Sequence, residues 1–551
     1  MSTYKEEADA WLAQDPDPET RAELRAILDT GDEAALADRF GARLEFGTAG
    51  LRGELGAGPN RMNRVTVMRA AAGVAARLRR DEPGSGGRSA VIGYDARHGS
   101  ERFALDTAAV LTGAGLTVWL LPWPLPTPVL AFAVRHLGAG AGVMVTASHN
   151  PPRDNGYKVY WGDGAQIVPP LDREISAAID ATGPVDRLPL GTDWTVLGDE
   201  IVQSYLHSLS GLPLGEAREV SVAYTPLHGV GRDVLLRAFE ATGFTAPAVV
   251  AEQAEPDPDF PTVAFPNPEE PGAMDLALAL GAGTGADLVI ANDPDADRCA
   301  VGVNGPDGLR MLTGDEVGGL LADHVLRHTA GADRLLVTTI VSSTLLGKIA
   351  EAHGVRFAES LTGFKWIMKA AAPEDRLVLG YEEALGYSVG GPAGPPVHDK
   401  DGIGAALTVA ALAAEARRDG RTLLDLLDDQ ARAHGVHATA QLSIRVTDLG
   451  LITELMARLR QSPPASLGGL TVEAMDDLAM GADGLPPTEG LRLRLAGGAR
   501  VVVRPSGTEP KLKCYLEVVA RVTGDVADAR TAARAGIEKV RADLAALLRV
   551  S

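Results

Sequence analysis

Three aspartates within five residues, Asp293, Asp295 and Asp297, close the segment DLVIANDPDADR at residues 287–298. An apolar run leads into them, and Pro294 forbids a continuing helix or central strand, so they lie on a loop just past a strand end. Three carboxylates this close repel one another unless something positive stands between them. A hard divalent cation with oxygen ligands is the natural partner. An EF-hand calcium loop also begins with alternating acids, but it needs Gly at its sixth place and Glu at its twelfth. Arg298 and Asn304 stand there instead. Magnesium fits better, because it often takes a few carboxylates and completes its shell with phosphate oxygens. The plain alternative is a solvated acidic turn.

A second constellation, RPSGTEPKLKCY at residues 504–515, carries the groups that grip phosphate. Arg504 offers planar bidentate donors, Ser506 and Thr508 offer hydroxyls, Gly507 permits close backbone approach and Lys511 adds a point charge. A Ser-Gly turn between two strands would use much the same residues. A third, GYEEALGY at 380–387, sets Glu382 and Glu383 after the apolar run RLVLG. They could bind sugar hydroxyls or pair with Lys and Arg. A fourth, VMVTASHNPP at 143–152, ends an apolar run in a polar loop holding Ser148. Taken by itself this is the composition of an ordinary turn.

The elements that must position these residues recur along the chain. Residues 90–121, 220–244 and 334–359 share one plan: a short apolar run rich in β-branched residues, a polar loop, an amphipathic stretch, a glycine and another apolar run. That is a strand–helix–strand unit with parallel strands. Gly115, Gly243 and Gly354 fall where a helix C-terminal glycine belongs. From about residue 436 the texture changes. LRLRLAGGARVVVRPS predicts two strands around a glycine turn, and DVADARTAARAGIEKVRADLAALL predicts a long helix. The expected fold is therefore α/β: three similar domains with mixed or parallel sheets and a smaller C-terminal α+β domain. In such sheets ligands meet the loops after the C-terminal ends of strands.

The bulk composition narrows the partners. Against 52 basic residues stand 73 acidic ones, a formal charge of -21, which argues against nucleic acid or an anionic membrane. An anionic ligand must then be met by local clusters of Arg, Lys and backbone N–H groups. Two cysteines, Cys299 and Cys514, are too few for a disulfide framework. The N-terminus shows no signal-peptide pattern and no apolar stretch reaches about 18 residues, so a cytoplasmic protein without a membrane span is expected.

Together these pieces resemble the α-D-phosphohexomutase superfamily of phosphoglucomutases, phosphomannomutases and phosphopentomutases. TASHNP at 146–151 resembles its phosphoserine loop, DPDADR at 293–298 its metal loop, GYEEALGY its sugar-binding loop and RPSGTEPK its phosphate-binding loop. FGTAGLRG at 46–53 resembles its N-terminal substrate-site segment, and TGFKW at 362–366 its sugar-orientation loop. The resemblance implies four domains around a central cleft, assigned here to residues 1–210, 211–325, 326–435 and 436–551, each lending one loop. Two departures stand out: Ala384 replaces a serine common in relatives, and Pro294 and Ala296 replace glycines of the metal loop. With FGTAGLRG and HDKDG at 398–402, they point to the branch of phosphopentomutase and glucose-1,6-bisphosphate synthase, along with bacterial phosphoglucomutases of similar build.

The resemblance implies a phosphoryl group stored on Ser148 and a magnesium ion held by Asp293, Asp295, Asp297 and an oxygen of phosphorylated Ser148. It also implies a bisphosphorylated sugar, glucose 1,6-bisphosphate or its counterpart, as intermediate and activator. The substrate would be a small sugar phosphate: glucose 1-phosphate first, with mannose and pentose phosphates as alternatives. Arg52, His149, Lys158 and Lys400 become candidates for proton transfer or charge stabilisation, with Thr362, Gly363, Glu382, Glu383, Lys400, Arg504, Ser506, Gly507, Thr508 and Lys511 around the substrate. Arg52 is better suited to steadying charge than to moving protons. Structural readings compete for three sites: a loop-orienting hydrogen bond for His149, an ion pair for Arg298, and an internal pair of Asp95 with Arg97. A serine-dependent sugar phosphatase and an inert sugar-phosphate-binding protein are the rival functions. Oligomeric state is left open.

Overall fold

The computed structural model describes residues 3–80, 87–306, 308–446, 449–482, 484–506 and 511–548. The chain forms two compact units. The first runs to Leu312 and resumes over Leu385–Glu415; the second holds Thr313–Ala384 and the chain from Ala416 onward. Among the described residues no helix is long and apolar enough to cross a membrane.

The first unit is built on two mixed sheets. In one, Ser89–Tyr94 lies parallel between Thr117–Leu120 and Ala141–Val145. Asp154–Trp161 then runs antiparallel to Ala141–Val145, with Leu51–Glu54 antiparallel on its far side. In the other, Val222–Thr225 lies parallel between Ala248–Val249 and Leu288–Ala291, and Ala300–Gly305 returns antiparallel beside the last. Every residue of Ala141–Val145 and of Leu288–Ala291 is buried, which explains why both read as unbroken apolar runs rather than alternating ones. The serine loop leaves the C-terminal end of the first strand and the aspartate loop leaves the C-terminal end of the second. Three helices precede all of this, Thr3–Gln14, Pro18–Thr30 and Glu33–Phe40. They bury Trp11, Leu24, Leu36 and Phe40 against Val65 and Met68.

In the second unit Arg334–Thr339 lies parallel between Arg356–Ser360 and Arg376–Glu382. The C-terminal part is an antiparallel sheet in the order Val436–Arg445, Lys511–Ala520, Arg500–Pro505, Leu491–Leu495, Leu470–Asp477, Ser466–Leu467. Helices Leu449–Gln461 and Val526–Leu547 supply Leu455, Leu459, Ile537 and Val540 to its core. All three predicted strand–helix–strand units form, with helices Ser100–Gly113, Arg232–Ala241 and Leu345–His353 between their parallel strands. Gly115, Gly243 and Gly354 follow those helices at φ 83°, 83° and 61°, a region closed to most side chains. The strand pair around Gly497 and Gly498 and the long last helix are also present.

Candidate active site

Ser148 is buried, with a left-handed backbone at φ 53° that a serine adopts only when its surroundings impose it. The imposing groups are on hand. Its own N–H donates to Thr146 Oγ1 at 2.8 Å. The Arg97 guanidinium donates to the carbonyls of Ser148 and Asn150, both at 2.6 Å, and to those of Pro151 at 2.8 Å and Asp154 at 3.2 Å. Arg97 thus gathers four carbonyls of one loop, while Asp95 lies 3.5 Å from its Nε. Arg52 Nη1 steadies the same loop from outside, donating to Asn150 Oδ1 at 3.0 Å. The result aims the Ser148 hydroxyl at Asp293 Oδ2, 2.6 Å away, with His149 Nδ1 at 3.2 Å.

Asp293, Asp295 and Asp297 are all fully buried, and one carboxylate oxygen from each lies within 4.8 Å of the others. The loop turns sharply at Ala296, φ 54°, which lets alternate residues face one point. Lys158 Nζ donates to Asp295 Oδ2 at 2.7 Å and Asp297 Oδ2 at 3.0 Å, and Lys400 Nζ lies 3.0 Å from Asp297 Oδ2. Lys400 is itself held between two anchored neighbours. Asp399 accepts from Tyr160 OH at 2.7 Å, and Asp401 accepts from Tyr205 OH at 2.7 Å. The remaining oxygens, Oδ1 of Asp295 and Oδ1 of Asp297, are buried without a hydrogen-bond partner. Buried carboxylate oxygens left bare in this way are costly unless a cation meets them. The donor set therefore fits a hard divalent ion, and a solvated acidic turn is excluded by the burial.

The electrostatics follow from burial and charge. Asp293 is pushed up to about 8 by burial and by the charges of Asp297 and Asp295. For Asp297 burial works the same way, but Lys158, Lys400 and Arg298 overcome it and hold the group below its ordinary value. Lys158 stays a cation: burial opposes its charge, and Asp295 and Asp297 more than restore it. His149 is driven well below the usual imidazole range by burial, then by Arg298 and Arg52, so it is a neutral ring near pH 7.

The second unit carries the other candidates. Glu382 ends the strand Arg376–Glu382. Glu383 Oε2 accepts from Ser342 Oγ at 2.9 Å and Thr339 Oγ1 at 3.3 Å. Thr362 and Gly363 precede the short helix Phe364–Lys369, with Gly363 at φ 104°. Arg504 and Lys511 lie on adjacent antiparallel strands, joined where Ser506 N donates to Lys511 O at 2.8 Å. Gly507 and Thr508 fall outside the described residues.

The sequence matches known families along most of its length. Residues 43–185, 203–306 and 313–433 match alpha/beta/alpha domains I, II and III of "Phosphoglucomutase/phosphomannomutase", and 445–534 match its C-terminal domain. A Haemophilus influenzae protein named "Probable phosphomannomutase" is 44% identical over 83% of this chain and 93% of its own. This chain belongs to the phosphoglucomutase/phosphomannomutase family. It is accordingly an intramolecular phosphotransferase, an isomerase acting in sugar metabolism. Mouse phosphopentomutase is 35% identical to this mutase over 94% of its chain and 90% of the relative's. Mouse glucose 1,6-bisphosphate synthase is 35% identical over 93% and 89%. The solved structure of a phosphoglucomutase/phosphomannomutase family protein from Burkholderia thailandensis shares the fold, with a TM-score of 0.67, 20% identity, and 91% and 97% of the two chains covered.

The mutase brings Ser148, His149, Arg52, Lys158, Lys400 and the three aspartates together in its first unit. Two residues there escaped the sequence. In GYDARHGS Arg97 suggests half of an ion pair with Asp95, and its hold on four carbonyls is invisible there. Nothing in the sequence singles out Thr127, which donates to Asp295. The proline pair around it, LPTPV, marks a helix start, but nothing local points that start at an aspartate far along the chain.

Proposed function

We propose that this mutase moves a phosphoryl group between the 1-position and the terminal position of a sugar phosphate through phosphorylated Ser148. The observation that carries this reading is the Ser148 hydroxyl at 2.6 Å from Asp293, beside two buried carboxylate oxygens with no partner. Asp293, Asp295 and Asp297, with an oxygen of the serine phosphate, would hold Mg2+. When bound, Mg2+ neutralises charge on the group in transfer.

The chain's own residues do the rest. The loop held by Arg97 presents Ser148 with its geometry set in advance, which is most of what phosphoryl transfer asks. Lys158, kept cationic, offsets the charge of a phosphoryl group beside the aspartates. In the forward half, the serine O–P bond breaks as the substrate hydroxyl forms a new O–P bond and gives up its proton. The Ser148 oxygen regains a proton as the group leaves. Neutral His149, 3.2 Å from Ser148 Oγ, has a ring nitrogen placed for that exchange. The reverse half returns the other phosphate of the bisphosphorylated sugar to Ser148. Glu382, Glu383, Thr362 and Gly363 are assigned to the sugar, and Arg504, Ser506, Gly507, Thr508 and Lys511 to the phosphate not in transfer.

Glucose 1-phosphate is the substrate assigned first, with glucose 1,6-bisphosphate as activator. A pentose 1-phosphate is the second reading, favoured by the likeness to mouse phosphopentomutase over 94% of the chain. Relative kcat/KM for glucose 1-phosphate, mannose 1-phosphate and ribose 1-phosphate decides between them. Release of free phosphate in place of the isomeric sugar phosphate would overturn the mutase assignment in favour of a phosphatase.

A further inference from the structure

In Asp295 and Asp297 the protein treats the two carboxylate oxygens differently, whereas both oxygens of Asp293 are taken, Oδ2 by Ser148 Oγ and Oδ1 by the Arg298 N–H. Asp297 Oδ2 takes both Lys158 and Lys400, and Asp295 Oδ2 takes Lys158 and the hydroxyl of Thr127 at 2.6 Å. Oδ1 of each is buried and bare. Thr127 opens the helix Thr127–His136 and is itself fully buried. Its backbone N–H, one of the first-turn donors that a helix leaves without an internal partner, donates to Asp295 O at 2.9 Å. One residue therefore grips Asp295 at both its carbonyl and its carboxylate. Pro126 and Pro128 on either side restrict the backbone that aims it.

Resting on the metal assignment above, we infer that Thr127 is a positioning residue for the cation: by occupying Asp295 Oδ2 it leaves Oδ1 alone to bind, through one oxygen. A carboxylate limited to one oxygen suits a small octahedral ion such as Mg2+, whereas Ca2+ accepts six to eight oxygens and can take a carboxylate through both. Outer groups of this kind orient ligands, and their loss typically costs about 10- to 100-fold in metal affinity. Lys158 shares the task, but it lies in the catalytic machinery and cannot report on positioning alone.

The test is direct metal binding by the full chain, read from the electron paramagnetic resonance of free Mn2+ and its displacement by Mg2+ or Ca2+. Thr127→Val keeps the shape and removes the hydroxyl; Thr127→Ser keeps the hydroxyl. The valine variant is expected to bind Mg2+ about 10- to 100-fold more weakly, with a smaller loss for Ca2+, while the serine variant matches the parent. Thr127→Ala gives the same comparison where the valine variant fails to fold, as judged by circular dichroism. Unchanged Mg2+ affinity in the valine or alanine variant would overturn the inference. Equal losses for both cations would overturn the one-oxygen reading. Absence of Mn2+ binding by the parent protein would overturn the metal assignment itself.

Discussion

Ser148 is held in a backbone conformation that costs a non-glycine residue roughly 1–3 kcal/mol, and the strain has a visible counterweight in Arg97. Ser148→Ala keeps that backbone and removes only the hydroxyl. We expect it to abolish turnover and phosphoryl uptake on the protein by mass spectrometry, with an unchanged circular dichroism spectrum; activity near that of the parent would sink the phosphoserine assignment. Arg97→Lys tests the counterweight. A single ammonium has three donors and no fork, so it cannot serve four carbonyls spread over Ser148, Asn150, Pro151 and Asp154. A misplaced serine should lower kcat by about 100-fold while KM changes little, since Arg97 is assigned no substrate contact. A parent-like kcat would show that the loop holds its shape unaided. Glu383 is a third case. Burial, then Glu382 and Asp315, push it from 4.5 up to about 7. The folded chain thus holds this proton more tightly than the unfolded chain, so its contribution is most favourable below pH 4.5 and is eroded as pH rises to 7. The side chain is only partly buried, which discounts the effect. Glu383→Gln should therefore raise stability by about 1–2 kcal/mol in urea melts at pH 8, and by less at pH 5, while weakening substrate binding. A gain over the parent that is no larger at pH 8 than at pH 5 would contradict the upward shift.

At the scale of elements, what the sequence made legible was local. Each strand–helix–strand unit announces itself through an apolar run, a 3.6-residue period and a glycine, all within about thirty residues. The aspartate cluster could be read for the same reason: its three carboxylates lie in one short segment. What stayed hidden depends on partners distant in the chain. Thr127 meets Asp295 across 168 residues, and Lys400 meets Asp297 from the far side of the second unit's first segment. The antiparallel return of Asp154–Trp161 was equally silent, because a strand buried without a break from Asn155 to Tyr160 carries no alternation to reveal its direction. A further long-range device joins elements inside the second unit. Glu517, on Lys511–Ala520, accepts from Arg500 Nε at 2.9 Å and from Ser343 Oγ at 2.6 Å, with His437 Nδ1 at 2.9 Å. Arg500 also donates to Ile340 O at 3.3 Å. Burial opposes the Glu517 charge, but Arg500 and then His437 and Ser343 hold it down at about 2, against 4.5 for a free glutamate. A depressed carboxyl contributes stability that is complete above pH 4.5 and lost as pH falls toward 2, about 3 kcal/mol in all. Glu517→Gln is expected to cost about 3 kcal/mol or more at pH 7, since it leaves Arg500 with less than its full complement. The gap to the parent in urea melts should shrink as pH drops below 4.5; a constant gap would mean the pair is not ionised in the folded chain.

At the scale of the whole molecule, the division into two units makes a prediction about how the chain comes apart. Ser148, Asp293, Asp295 and Asp297 all belong to the first unit, whereas the Glu517–Arg500 pair belongs wholly to the second. A ligand that binds only the native form stabilises it by mass action, by about 2.7 kcal/mol when its concentration is 100 times Kd. Mg2+ should therefore act on the first unit alone. In scanning calorimetry two transitions are expected, because a chain of several domains need not unfold as one. Added Mg2+ should raise one of them by a few degrees, EDTA should reverse the rise, and Glu517→Gln should lower the other while leaving the Mg2+-sensitive one in place. Asp295→Asn, by removing one of the carboxylates proposed to hold the metal, should make the first transition indifferent to Mg2+. A single transition that responds to both Mg2+ and Glu517→Gln would show instead that the two units unfold as one cooperative body. In that case the aspartate loop and the buried pair, though they belong to different units, would be coupled in stability.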